Sequence, residues 1–220
     1  YKIASFENTD LPLIKKVAAT GKPMIISLGM ASIAEIDETV RTAREAGCHD
    51  LVLLKCTSTY PSTPENTNIS TLPHLRNLFN THVGISDHTL GIGTSIASVA
   101  LGATVIEKHF TLSRAEGGVD SAFSLEPDEL KSLVVETERA WKSLGSVVYG
   151  GTSSEEKSKI FRRSLYVAED MKAGDVFTDE NLRIVRPGSG ELPKYYDLFI
   201  GKKVKHNVKK GLPVTFDIIL

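Results

Sequence analysis

The chain has 220 residues, of which 41% are hydrophobic and 24% charged, and its formal net charge is −1. That balance describes an ordinary globular chain with ample core-forming material, and it excludes the basic excess of a nucleic-acid binder and the acidic excess of a disordered segment. No run approaches a membrane span in length and no signal-peptide pattern is present, so neither nucleic acid nor a membrane is an expected partner.

Tyr1 to Ser5 reads as a strand, followed by a helix from Asp10 to Thr20 with Pro12 in its first turn and Gly21 at its end. Pro23 to Ser27 is the second strand. The next helix opens on a capping box, Ser32 with Glu35, sets Ile33, Ile36, Val40 and Ala43 on one face, and stops at Gly47. Leu51 to Cys56 is a third strand. Cys48 precedes it and Cys56 ends it, so at roughly 3.3 Å per residue the two thiols stand about 25 Å apart. That is beyond disulfide reach, and two free thiols fit a cytoplasm. A long loop leads to a helix near Leu72 to Phe79, and His82 to Ser86 and Thr104 to His109 are two further strands. A helix from about Pro127 to Leu144 turns Leu130, Leu133, Val134, Trp141 and Leu144 inward.

Near-continuous apolar strands alternating with helices predict an α/β fold, a parallel sheet covered by helices on its outer face: the C-terminal part, about five βα units, of a (β/α)8 barrel over residues 1–146. Because the chain opens on a strand without Met, the remaining strands are expected in a preceding segment. Residues 147–161 are a polar, Gly/Ser-rich linker. Residues 162–220 carry short β runs with Gly turns, at 164–168, 173–176, 184–188, 200–203 and 211–220, and predict a small β-rich domain near the lower size limit for independent folding.

The most informative feature is a pair of histidines. His88 ends the run Gly84-Ile85-Ser86-Asp87-His88 and His109 ends Val105-Ile106-Glu107-Lys108-His109, with a small-residue helix between them. A strand, helix, strand crossover makes the strands parallel neighbours, so both imidazoles reach the carboxyl edge of the sheet, where α/β folds place ligands. A single strand-end histidine is more often a hydrogen-bonded structural residue; two at equivalent positions of adjacent strands point to one shared metal ion. Alternation also places Ser86 with His88, and Glu107 with His109, on the inward face, and turns Asp87 outward to orient a loop.

Lys2, Ser5 and Glu7 leave the first strand, Ser27 the second, and Ser58 and Tyr60 the third. A lysine among hydroxyls suits a phosphorylated or carboxylated ligand. Ser27 and Ser58 equally suit helix caps. Asp120, in Gly117-Gly118-Val119-Asp120, is either a turn residue or folds over the mouth of the barrel, and Arg186 is either a solvated charge or a functional group. By the same register His49 and His82 lie at the opposite rim and His74 sits on a helix. The lysines from Lys202 to Lys210 read as a solvated face.

Tyr-Lys-Ile-Ala-Ser-Phe-Glu at 1–7, Ser-Leu-Gly-Met at 27–30, Cys-Thr-Ser-Thr-Tyr-Pro at 56–61, Ser-Asp-His-Thr at 86–89, Glu-Lys-His-Phe at 107–110 and Arg-Pro-Gly at 186–188 resemble the sialic acid synthase family over the whole chain. The last segment resembles the antifreeze-like (SAF) domain those enzymes carry. The resemblance implies condensation of phosphoenolpyruvate with an N-acetylated amino sugar. Lys2, Ser5, Ser27 and Ser86 match phosphoenolpyruvate-binding positions, and His88 and His109 match the ligands of a divalent ion, Mn2+ or Mg2+. Glu7, Ser58, Tyr60 and Asp120 match sugar-facing positions, with Glu7 and Asp120 joining the two histidines as candidates for catalysis. Arg186 matches a residue that reaches the barrel of a partner in a domain-swapped homodimer.

Two departures from the N-acetylneuraminate pattern, Ser58 before the Thr-Tyr of the third-strand loop and Ser5-Phe6-Glu7 after the first strand, resemble the pseudaminic branch of the family, which takes a 2,4-diacetamido-2,4,6-trideoxy hexose. N-acetylneuraminate or legionaminate synthesis is the alternative within the family. A 3-deoxy-octulosonate phosphate synthase would lack the SAF segment, and a non-catalytic carbohydrate-binding or ice-binding SAF protein would have no use for the two histidines and Lys2.

Overall fold

Five strands and five helices alternate through the first part of the computed structural model, which describes residues 1–220 and divides into the units Tyr1–Ser146 and Val147–Leu220. In the first unit β1 (Lys2–Ile3), α1 (Leu11–Ala18), β2 (Met24–Ser27), α2 (Ile33–Glu45), β3 (Leu51–Cys56), α3 (Thr71–Phe79), β4 (His82–Asp87), α4 (Gly93–Ala100), β5 (Val105–Lys108) and α5 (Pro127–Ser143) follow one another. The sheet order is β1-β2-β3-β4-β5 and every pairing is parallel. Consecutive strands paired in parallel through helical crossovers form a stretch of barrel wall, as the alternation of apolar strands and amphipathic helices predicts.

The two faces differ in chemistry. Outward residues Ile3, Met24, Ile26, Leu51, Leu53 and Val83 join Ile14, Ala18, Val40, Ala43, Leu72 and Leu75 of the helices in one buried apolar core. The inner face turns polar toward the carboxyl ends of the strands. Gly84 occupies an inner position where a Cβ would stand 2.1 Å from the Val105 carbonyl oxygen and 2.7 Å from Leu54 Cδ2, so only glycine lets β5 and Leu54 close in there.

The helix starts follow the local rules. Asp10 accepts from the Leu13 amide ahead of α1, and Ser32 and Glu35 form the reciprocal capping box of α2. Two expectations need correction. Ile33, the first residue of α2, is 53% exposed, whereas Ile36, Val40 and Ala43 further along the same helix are buried. In α5 only Leu133 is buried; Val134, Trp141 and Leu144 are exposed, since the helix packs mainly on α4 and the remainder of its apolar stripe borders an open groove beside Val99 and Ile106.

The second unit has its own core, built from Leu165, Val167, Met171, Phe177, Leu182, Phe199, Val204, Val208, Val214 and Ile218. Its two regular strands, β6 (Ser164–Val167) and β7 (Leu182–Val185), pair antiparallel, and α6 (Tyr196–Phe199) is one turn. The other predicted β runs are single bridges, Met171 to Val208, Val176 to Lys203 and Val204 to Ile219. Tight turns with positive φ at Gly174, Gly201 and Gly211 interrupt them before a ladder can extend.

Candidate active site

His88 and His109 follow directly on the last paired residues of β4 and β5, where Ser86 lies opposite Glu107 and Asp87 opposite Lys108. Their ring centroids are 5.2 Å apart at 68°. The Tyr60 ring centroid lies 4.3 Å from that of His88 with the planes inclined at 40°, and that of Phe123 lies 5.0 Å from His109. The Nδ1–H of His88 faces the Thr57 carbonyl oxygen at 2.9 Å, and Nδ1 of His109 stands 3.6 Å from Asp120 Oδ2. Orienting one ring nitrogen against a carbonyl or carboxylate leaves the other for a ligand, the arrangement metal-binding histidines use. No group of three or more His, Cys, Asp or Glu side chains converges to enclose a cation, so one held here would rest on two imidazoles with its other positions open. The donor set fits such a cation.

The charges in this cluster are coupled. Burial and the neighbouring His88 charge press the His109 pKa below the ordinary histidine value, which favours the neutral, ligating form. Burial alone would lower His88 as well, but contact with the Cys56 thiol and the Thr57 carbonyl holds it above that value. Burial pushes the Cys56 thiol up, and contacts with His88 and Ser58 more than offset this, so it lies below the usual thiol range.

Beside the histidines, Glu107 joins two strands. Its Oε1 accepts from the Ser86 hydroxyl at 2.7 Å and lies 3.1 Å from the Lys2 ammonium. Lys2, Ser86, His88, Glu107 and His109 therefore occupy one inner surface. Ser58 donates to Ser5 at 2.8 Å, so it pairs across the rim and caps no helix. Ser27 Oγ is buried and has no hydrogen-bond partner. The Glu7 carboxylate accepts from the Ala4 amide at 3.1 Å in the turn after β1. Asp120 is brought to the site, at the end of the Gly117-Gly118 turn.

Three contributors carry weak sequence signals. Glu107 is visible as an inward rim residue, but its role as the hub appears only with its partners. Gly29 has φ +50, and a Cβ on it would lie 2.7 Å from both Ser5 Cβ and Ser58 Oγ, so its glycine lets those hydroxyls meet. Asn8 is buried and its amide donates to the Ser5, Ser27 and Leu28 carbonyls, tying the rim of β1 to that of β2. A buried asparagine in a polar turn has no pattern to betray it.

In the second unit Arg186 is exposed at the end of β7 and lines a groove of about 580 Å³ with Tyr166, Glu169, Glu180, Arg183 and Lys210. The lysines from Lys202 to Lys210 are exposed, as the solvated-face reading expects, with Lys209 paired to Asp170 at 2.6 Å.

Comparison with known proteins gives a consistent picture. Residues 1–149 match the model of the NeuB family and residues 162–219 that of the SAF domain. The chain is 41% identical to pseudaminic acid synthase of Campylobacter jejuni over 96% of its length and 62% of that protein. It is 40% identical to the N,N'-diacetyllegionaminic acid synthase of the same species, over 96% of this chain and 64% of the relative. The chain thus spans less than two thirds of these curated relatives. The crystal structure of spore coat polysaccharide biosynthesis protein SpsE from Bacillus subtilis matches with a TM-score of 0.63 and 32% identity, covering 100% of this chain and 67% of that one.

Proposed function

The chain belongs to the NeuB family, and from that premise we propose that it is the larger part of a synthase that condenses phosphoenolpyruvate with a 2,4-diacetamido-2,4,6-trideoxy hexose to give pseudaminic acid and phosphate. The observation that carries the reading is the convergence of one ammonium, one carboxylate, two imidazoles and several hydroxyls on the inner rim of parallel strands. In this reaction C3 of phosphoenolpyruvate attacks the aldehyde carbon of the open-chain sugar, water adds at C2, and phosphate departs.

Lys2 would neutralise charge on phosphoenolpyruvate, with Ser5, Ser27 and Ser86 donating to its oxygens. The unpartnered Ser27 hydroxyl supports this, because it is a donor without a use in the protein itself. His88 and His109 would hold a divalent cation, Mn2+ or Mg2+, which when bound supplies Lewis-acid polarisation of the sugar's aldehyde oxygen. Asp120, against His109 Nδ1, orients that ring, and Tyr60 covers His88 and presents an apolar and hydroxyl surface to the sugar. Phe6 is 65% exposed next to Glu7, an apolar wall suited to a 6-deoxy sugar. Legionaminate synthesis shares this chemistry, and comparable identity to both relatives leaves Phe6 and Ser58 as the residues that favour the pseudaminic substrate.

The second unit, with exposed Arg186 and a core of its own, supports a domain-swapped homodimer in which Arg186 serves the barrel of another copy. The two free thiols favour a reducing cytoplasm, and no helix is long and apolar enough to cross a membrane. Incubating the full-length synthase of which this chain is a part with phosphoenolpyruvate and a panel of N-acetylated hexoses tests the activity. Phosphate release with the 2,4-diacetamido-6-deoxy sugar, and a product mass equal to substrate plus pyruvate, is expected. Preference for N-acetylmannosamine would overturn the substrate, and no turnover of any sugar would overturn the reaction.

A further inference from the structure

The outer face of β4 and β5 carries a second polar layer that the reaction does not use. Asp87 and Lys108 lie opposite each other in register at the last paired position of the two strands. The Lys108 ammonium stands 3.1 Å from Asp87 Oδ2, and the two side chains are 2% and 0% exposed. Asp87 Oδ1 accepts from the amide and hydroxyl of Thr89, at 2.9 and 2.8 Å, and its Oδ2 accepts from the Ser95 hydroxyl of α4 at 2.6 Å. Lys108 also donates to the Thr89 carbonyl at 2.6 Å.

We propose that the Asp87–Lys108 pair is a positioning clamp that sets the spacing of His88 and His109 from behind the sheet. The inference rests on the two-imidazole cation site proposed above. Each member of the pair is the covalent neighbour of one histidine, and alternation sends the pair to the helix side and the imidazoles to the mouth. Past Asp87 and Lys108 the β4–β5 ladder ends. The His88 carbonyl then accepts from Ser62 and the His109 carbonyl from Leu125, so beyond the clamp each histidine is tied to a different segment.

A buried ion pair is poor at adding stability, because desolvation opposes its attraction, and an apolar pair would serve stability as well. What the charged pair adds is geometry. Three oxygen acceptors and four donors meet in one arrangement, which fixes both the register of the strand ends and their distance from α4.

The test uses Asp87→Asn, Lys108→Met and the Asp87→Asn/Lys108→Met double variant. The double variant leaves no unpaired buried charge, so it reports even where a single variant does not fold. Crystal structures of the metal-free double variant are expected to retain the Lys2–Glu107 contact while the imidazole centroids depart from the 5.2 Å spacing or become disordered. Mn2+ binding, followed by electron paramagnetic resonance, is expected to weaken by about tenfold or more, the usual range for loss of an orienting partner. Spacing decides the matter: imidazoles unchanged at 5.2 Å in the folded double variant overturn the clamp whatever the Mn2+ affinity. If the unaltered protein binds no Mn2+, the cation reading fails, and the same comparison of spacings still decides the clamp.

Discussion

Lys2 and Glu107 stand 3.1 Å apart although they belong to the first and last strands of a five-stranded sheet. Across a flat sheet, at about 4.8 Å per strand, they would be separated by roughly 19 Å. Their contact measures the curl of the wall, and it creates the site: the same curvature that closes a barrel brings the ammonium of β1 to the carboxylate beside His109.

That relationship makes Lys2 available to an anion at little cost. Its ion pair with Glu107 is one third exposed, a class of pair worth at most about 1 kcal/mol. Lys2→Met should therefore leave thermal stability nearly unchanged. It should raise the KM for phosphoenolpyruvate far more than that for the sugar, by the equivalent of about 1.5–3 kcal/mol for a lost charge-assisted bond. Equal effects on the two substrates in steady-state kinetics would show Lys2 to be structural only.

Gly29→Ala is expected to destabilise the first unit by at least about 1 kcal/mol in urea titration, since a side chain is placed in the left-handed region and against two serines. It should also part Ser5 from Ser58. Stability equal to the unaltered protein would mean that the loop has room to move, against the close approach seen here.

Acid should remove one local tie. The Arg114 guanidinium, and then the Glu126 amide, hold the Glu129 carboxyl below its ordinary range. A carboxylate with a depressed folded pKa contributes stability that is present above its unfolded value and is lost as pH falls through the folded one. The melting-temperature gap between the unaltered protein and Glu129→Gln should be open at pH 7 and narrow as the pH falls below the ordinary glutamate value of about 4.3. A gap that persists in acid would assign the loss to packing.

Mixing His88→Ala with Arg186→Ala protein tests the swapped assembly. Heterodimers would contain one site with an intact barrel and an intact arginine, so a substantial fraction of activity should return. No return, with heterodimers seen by native mass spectrometry, would place Arg186 at its own barrel or at none.

Much of this arrangement is legible in the sequence alone. Period-two alternation put Ser86 with His88 and Glu107 with His109 on the inner face, and the crossover made their strands neighbours; both hold. Alternation also turned Asp87 outward, where it does order the loop through Thr89. What pattern does not carry is distance between remote segments, so the Lys2–Glu107 contact and the burial of Lys108 by Asp87 emerge only from the curl and register of the folded sheet. Apolar periodicity in α5 marks a face without showing how much of it is covered, so the 66% exposure of Trp141 cannot be read from it. Glu7 and Ser58 are legible as polar residues leaving the first and third strands, and only their sugar-facing role comes from resemblance; their local bonds, to Ala4 and Ser5, depend on a turn that sequence spacing does not specify.

In the proposed reaction His88 and His109 share one divalent cation at the rim where the two substrates meet. Anomalous diffraction from crystals grown with Mn2+ and phosphoenolpyruvate tests it most directly. A single strong peak is expected within about 2.5 Å of a ring nitrogen of each histidine, lost in His88→Ala crystals. A map with Mn2+ elsewhere and none between the two imidazoles would contradict it.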